Sequence, residues 1–400
     1  KDGFSSKESQ NLALENFSLR APGASGEFPD FLKISHAEAR LTLDEFNRSG
    51  RIESLTIEGP EIRFTDETLG KWAELSDDES EVGPVNRPVY SADQLEINSG
   101  LLITDTKFAD NAVPKVISNF SLTTLPDSPD PTSPAYHLVL SDIRLRNHAR
   151  ITEDAAVIEK PNPNEANPSA DAAPLTQTVV EEEVLTVKEI SANFTAKQLQ
   201  RDRRIEKIKV DGATLNVGHG LKELVREGEA SSEEEAPTET PEPTTPQAAA
   251  PGKKPLPTWR IGEIEVTNSQ VRFEALIPQI EGLQFALETR LTDVPLSIDG
   301  LLAQEKKQKI EISGIEIKDP YDSFITVAYL PTIFVEFSLS GLAKQEIEKI
   351  DLIGPSLYVG QGLFWWIEYQ RKFREQNEGA SVGLKGENSP IQDSPDWVIK

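Results

Sequence analysis

The chain has no cysteine and no methionine in its 400 residues. Without thiols there is no disulfide framework, no thiolate metal site, no iron–sulfur cluster and no cysteine nucleophile. Such a composition suits an oxidising compartment. Histidine is nearly as scarce: His36, His137, His148 and His219 stand alone, none in a paired-ligand spacing, and they read as surface or structural side chains. Basic residues are outnumbered 41 to 67, for a net charge of −26. That surface repels phosphate backbones, and no Lys/Arg run with interleaved aromatics offsets it, so nucleic acid is excluded as a partner. The same deficit argues against polybasic adhesion to anionic headgroups. No apolar run approaches the ~18 residues a membrane span needs. Lys1 opens the chain without an initiator or a signal-peptide pattern, so a targeting element would lie upstream.

Catalytic signatures are missing as well. There is no nucleophile elbow, phosphate loop or dinucleotide fingerprint. The acidic run Glu181, Glu182, Glu183 lacks the alternating oxygen ligands of a calcium loop and reads as solvated charge. No catalytic residue, metal ligand or cofactor is assigned, and the expectation is a protein that performs no chemistry. Apolar residues make up 37% and aromatics 7%, with 28 prolines. Ordered segments separated by solvated ones account for that dilution.

What is present is a repeat. Three segments align without a gap: 52–64 (IESLTIEGPEIRF), 205–217 (IEKIKVDGATLNV) and 347–359 (IEKIDLIGPSLYV). Their apolar positions coincide as Leu55, Ile208 and Ile350; Ile57, Val210 and Leu352; Ile62, Leu215 and Leu357; Phe64, Val217 and Val359. Gly59, Gly212 and Gly354 are common to all three. Each copy alternates with period two on either side of its glycine, as a half-buried strand does. The apolar phase slips by one residue across the glycine. A bulge there would restore a single apolar face; a tight turn between two short strands is the other reading, since Gly-Pro also marks turns.

The segment after each copy recurs too. Leu69/Trp72/Ala73, Leu221/Leu224/Val225 and Leu363/Trp366/Ile367 share the spacing of one helix face. Polar tracts then run over 76–87, 228–255 and 376–395, with another at 153–174, too poor in apolar residues to offset their ordering entropy. A second strand element restarts at Leu95 (LEINSGLLIT), at Ile261 (IGEIEVTNSQVRF) and at Trp397. Further strands are read at Tyr136 (YHLVLSDIRL) and Leu283 (LQFALETRL), and the opening strand around Leu12 (NLALENFSLRAP) recurs around Ile310 (KIEISGIEIKDP).

This combination of entering strand, glycine-centred closing strand and Pro-x-Trp-x-Ile restart resembles the AsmA-like family of bacterial envelope proteins. The resemblance implies a bridge-like lipid-transfer protein. Its fold would be mainly β with short helices: an elongated, twisted, repetitive antiparallel sheet curled into a U-shaped groove and interrupted by disordered acidic, Pro-rich loops. It implies a periplasmic location, an inner-membrane anchor outside this sequence, and partners that are phospholipid acyl chains or outer-membrane assembly proteins. The lining would be Leu55, Ile57, Ile62 and Phe64 with their counterparts Ile208, Val210, Leu215, Val217, Ile350, Leu352, Leu357 and Val359.

The chain accordingly divides into 1–86 (first strands and closing helix), 87–150 (second strand element), 151–182 (linker) and 183–227 (second closing strand and helix). Then come 228–256 (linker), 257–308 (second element repeated), 309–375 (third copy), 376–394 (linker) and 395–400 (start of a further unit). Two functions fit this plan. One is a conduit in which acyl tails slide along the groove. The other is an assembly scaffold whose free sheet edge pairs with client strands. Without the resemblance, ordinary core is the default for an alternating apolar face.

Overall fold

A computed structural model describes residues 7–19, 31–65, 89–108, 111–126, 133–152, 177–221, 224, 259–273, 283–296, 300, 303–319, 324–344, 346–368, 371 and 398–399. Period-two alternation yields strands wherever it was read. The first six are β1 (Ser9–Leu19), β2 (Leu32–Thr42), β3 (Arg51–Glu58), β4 (Glu61–Thr65), β5 (Ser91–Phe108) and β6 (Asn111–Thr124). Next come β7 (Ala135–Thr152), β8 (Gln177–Thr195), β9 (Arg204–Val217), β10 (Arg260–Phe273), β11 (Gln284–Pro295), β12 (Lys307–Lys318) and β13 (Thr326–Ser338). The last are β14 (Glu346–Ile347), β15 (Lys349–Ile353), β16 (Ser356–Leu357) and β17 (Val398–Ile399). Fifteen of them form one sheet in sequence order from β1 to β15, while β14 and β17 pair separately. The fold is thus mainly β with few, short helices.

The sheet is mixed rather than antiparallel throughout. β3 and β4 run parallel to β5, β9 runs parallel to β10, and β14 runs parallel to β17. Each closing strand therefore lies parallel to the restart strand after it. The three seams share one register: Ile52 faces Ala92, Ile205 faces Ile261 and Ile347 faces Ile399. Parallel neighbours need a crossover rather than a hairpin, and the helix-plus-tract segments read from the sequence supply it. Residues 361–368 are helical and include Leu363, Trp366 and Ile367; Leu221 and Leu224 are also helical. The helix expected at Leu69/Trp72/Ala73 and the tracts at 76–87, 153–174, 228–255 and 376–395 lie outside the described residues. Strand pairing reaches into the linker expected at 151–182, since β7 and β8 pair from Thr152 and Gln177 onward.

A second recurring link joins strand two of each unit to its closing strand. It is helix α1 (Leu43–Ser49) in the first copy, a π-helical turn Gln198–Asp202 in the second and helix α2 (Leu339–Ala343) in the third. The Ser338 hydroxyl accepts from the Gly341 N–H at 3.0 Å and the Thr195 hydroxyl accepts from the Gln198 N–H at 3.2 Å, so both chain turns are capped. Just before them sit Leu41, Phe194 and Phe337, all buried. Ala92, Tyr136, Ala192, Ile261 and Val294 are buried at the same strand ends. One part of the core lies there, along the helix-linked margin of the sheet, and another further along the strands, at Ile103, Ile143, Val184, Val187, Val271 and Val327.

Candidate functional site: a continuous apolar strip

The glycines of the closing strands are the key to the face they leave. Gly59, Gly212 and Gly354 have φ of 56°, 66° and 60°, a left-handed backbone that costs other residues strain. They do not turn the chain back. β9 runs unbroken through Gly212. β3 and β4 keep one register against β2 and one against β5 on both sides of Gly59.

The slip at each glycine is shared by its neighbours. Asn16 on β1 and Ser99 on β5 are left-handed in the row of Gly59, and Asp142 on β7 and Asn268 on β10 in the row of Gly212; Gly314 on β12 is left-handed in the row of Gly354. The extra residue is therefore carried across several strands together and released at bulges. Ile97 faces Leu122 and Gly100 faces Phe120, so β5 has one more residue than β6 over that stretch. β10 does the same against β11 between Val266 and Ser269.

Those bulges fix which side chains share a face. Leu122 and Phe120 are two apart on β6 and share a face, so Ile97 and Gly100 do as well although they are three apart. Ile57 pairs with Ile97 and Ile62 with Leu102; both therefore lie on that face. Val210 and Leu215, which pair with Val266 and Val271, are placed together by the bulge on β10.

The result is a set of apolar rows that cross the strands. One runs in register from Leu14 through Ala37, Ile57, Ile97, Leu122, Leu138, Ala192, Ile208 and Ile264 to Leu291, without a polar residue. A second runs from Phe120 through Leu140, Ile190, Val210, Val266, Thr289, Ile310 and Val335 to Ile350. A third joins Val116, Leu145, Leu185, Leu215, Val271 and Phe285. Leu352 ends a shorter row with Ile333, Ile312 and Leu287. Leu55 pairs with Leu95, Phe64 stacks edge-on against Phe31 at 5.3 Å between centroids, and Val217 pairs with Phe273. The first two copies are half-buried. In the third, Leu352, Leu357 and Val359 are exposed at 51%, 60% and 79%, because β15 and β16 stand at the margin of the described sheet.

The opposite face is charged. Lys209, Glu265, Arg290, Lys309, Glu336 and Lys349 face one another across β9–β15. Lys207 bridges Glu263 at 2.7 Å and Glu265 at 2.6 Å, and Arg290 binds Glu263 at 2.5 Å. Arg290 and Lys207 hold the Glu263 carboxyl below the usual carboxylate range. Beside the slips, the Asn98 amide donates to Glu58 at 3.0 Å. The Asn268 amide and the Lys188 ammonium both donate to the Asp211 carboxylate, at 2.6 Å and 3.2 Å, and the Asn268 bond, followed by Lys188, holds Asp211 low.

Among the described residues no layer covers the apolar rows. Substantial contacts between elements run only between sheet neighbours or between a connecting helix and the strands beside it. At the helix-linked margin Tyr136, Ala192, Phe194 and Ala196 cluster with Leu95, Leu122, Leu138, Leu199, Ile205 and Ile208, and further along the strands Ile103, Ile143, Val184, Val187 and Val271 are buried as well. No group of three or more His, Asp or Glu placed to hold a metal occurs among the described residues, and no described helix is long and apolar enough to cross a membrane. No protein-family model matches the chain, and no curated protein matches its sequence.

Proposed function

We propose that the apolar rows are a non-enzymatic binding surface for phospholipid acyl chains, along which lipid moves between the inner and outer membranes of a bacterial envelope. The observation that carries this reading is the uninterrupted row from Leu14 to Leu291, lying on a face with no covering layer among the described residues. A sheet that leaves apolar side chains half-buried over so continuous a row gains by covering them further. Acyl chains do so without fixed register, which suits rows that are uniform along the sheet. The charged face stays in water, and headgroups would sit at the margin away from the Tyr136–Phe194 cluster. The periplasm is the compartment this role requires.

A strand-pairing scaffold is the second reading. It draws on β1 and β15, each of which is paired on one side only in the order of the main sheet, the arrangement that β-augmentation uses.

The test is a charge in the strip. Ile57→Asp and Val210→Asp should abolish lipid transfer between donor and acceptor vesicles while the protein stays folded, because an open strip admits water around the carboxylate. In a closed core the same charge would be desolvated at a cost of about several kcal/mol. Unfolding of both variants, with no lipid recovered from the parent protein, would remove the conduit and leave the scaffold.

A further inference from the structure

The first two parallel seams can be compared residue by residue, and they differ sharply in charge where each begins. At the first seam the Ser91 N–H donates to the Gly50 carbonyl, and at the second the Arg260 N–H donates to the Arg203 carbonyl. Gly50 thus corresponds to Arg203, Arg51 to Arg204, Ser91 to Arg260 and Asp93 to Gly262. The first seam is neutral at these positions, where Arg51 Nε binds Asp93 Oδ1 at 2.7 Å. The second holds Arg203, Arg204 and Arg260 there, and Gly262 supplies no carboxylate where Asp93 supplies one. Arg204 and Arg260 are direct cross-strand partners, an arrangement that like charges oppose. The Arg204 guanidinium reaches over Gly262, 3.5 Å from where a Cβ would stand.

Backbone strain marks the same place. Arg203 ends the π-helical turn with φ 48° and ψ 46°, the left-handed region that Gly50 occupies freely at φ 72°. An arginine there carries strain that a purely structural turn avoids by using glycine. Residues 197–209 (KQLQRDRRIEKIK) hold six basic side chains and two acidic ones, in a chain of net charge −26. Of the carboxylates close by, Asp202 is exposed, Glu206 accepts from the Gln198 amide at 3.0 Å, and Asp293 lies 3.6 Å from Arg260. Among the described residues neither Arg203 nor Arg204 has an ion-pair partner.

We propose that Arg203, Arg204 and Arg260 form a binding site for a phosphate monoester group, carried by a soluble molecule or by a lipid headgroup. One carboxylate suffices for one guanidinium, as Asp93 does for Arg51. Three guanidiniums match the greater charge and the three acceptor oxygens of a phosphate. The site does not depend on the conduit, and either can fail alone.

Equilibrium dialysis of the full chain against radiolabelled inorganic phosphate at low salt tests it. The parent should take up phosphate at one saturable site. Arg203→Gln, Arg204→Gln and Arg260→Gln together should weaken uptake at least ~tenfold with an unchanged far-UV circular dichroism spectrum, whereas Arg51→Gln should leave it as it is. Arg203→Gly, which restores the first unit's residue, should also weaken uptake without lowering the melting temperature. Competition identifies the source. Displacement of the label by glycerol 3-phosphate shows a soluble ester, and displacement only by vesicles containing phosphatidic acid shows a headgroup. A parent without saturable uptake, or uptake that the triple variant shares, would overturn the proposal. So would a hexaglutamate peptide that displaces the label at lower concentration than phosphate does, which would make the cluster a dock for an acidic chain.

Discussion

The Tyr136 hydroxyl makes two hydrogen bonds to a single residue: the Ala92 N–H donates to it and it donates to the Ala92 carbonyl, each at 2.9 Å. Ala92 lies on β5 and Tyr136 on β7, with β6 between them in the sheet. β6 ends at Thr124, whose hydroxyl accepts from the Leu95 N–H at 2.6 Å, so it never reaches Ala92. The tyrosine ring spans the gap and its hydroxyl acts as the missing ladder partner. Gln308, which holds the same place opposite Phe337 that Tyr136 holds opposite Phe194, makes the equivalent pair of bonds to the Thr292 backbone, at 3.0 and 2.9 Å. A recurring side-chain tie thus closes the margin where that part of the core lies.

Tyr136→Phe should therefore destabilise the sheet by about 1–3 kcal/mol, because two buried backbone groups of Ala92 lose their partner while the ring remains. Urea unfolding followed by tryptophan fluorescence measures it. Burial, before any other influence, raises the Tyr136 pKa above the ordinary phenol value. The neutral phenol is the form the fold prefers, so its contribution is complete below the unfolded value of about 10 and is lost as pH rises through the folded one. The parent should lose stability above that pH by an amount that Tyr136→Phe does not share.

Gly212→Ala should cost about 1–2 kcal/mol for the left-handed backbone alone. The cost is raised by contact, since the new Cβ would lie 3.0 Å from Lys188 Cβ. Thermal melts of Gly212→Ala beside Gly314→Ala separate the two causes, because an added Cβ at Gly314 meets nothing within 4 Å although φ there is also positive, at 73°. Gly314→Ala should be the milder of the two.

Acid should loosen the seam between β9 and β10. The bond from Asn268 and then the Lys188 charge depress the Asp211 pKa, so the stabilisation is present above the unfolded carboxyl value of about 3.9 and disappears as pH falls through the lower folded value. Asp211→Asn should flatten that part of the stability–pH curve while leaving neutral-pH structure in place. Denaturant midpoints from pH 2 to 6 for both proteins provide the comparison.

Much of this architecture is written in the sequence, and the parts that are hidden share a cause. The closing strands announce themselves because each keeps the same residue, glycine, at the slip. The opening strand does not: its left-handed position is Asn16 in β1, Asp142 in β7 and Gly314 in β12. Asn, Asp and Gly are the residues that tolerate that conformation, so the backbone repeats where the letters differ. YHLVLSDIRL, which the sequence division puts in the second strand element at 87–150, is thereby the second unit's copy of NLALENFSLRAP and KIEISGIEIKDP. The links after Leu41, Phe194 and Phe337 escape notice because they are a single turn or two, too short for a helical period, yet Thr195 and Ser338 are readable as caps. Parallel seams are not visible in alternation at all, which is blind to strand direction. The helix between closing strand and restart is the signal that could have given them. The expected lining residues were legible as a pattern, whereas their continuity across strands needed the register.

Phe337→Ala should be among the costliest single changes, at about 3–5 kcal/mol, since Phe337 is only 2% exposed at the helix-linked margin. By contrast Leu352→Ala, at a side chain 51% exposed, should change stability by less than about 1 kcal/mol. A pair of unfolding curves that ranked these two the other way round would misplace the core.

Contact between the apolar rows and lipid is the central claim. A photo-crosslinking residue at Ile57, Val210 or Leu352, in the full protein expressed in a bacterial envelope, should capture phospholipid, detected by mass spectrometry of the crosslinked band. The same residue at Glu58, Asp211 or Asp351, on the charged face, should not. Equal capture from both sets, or none from either, would contradict the conduit.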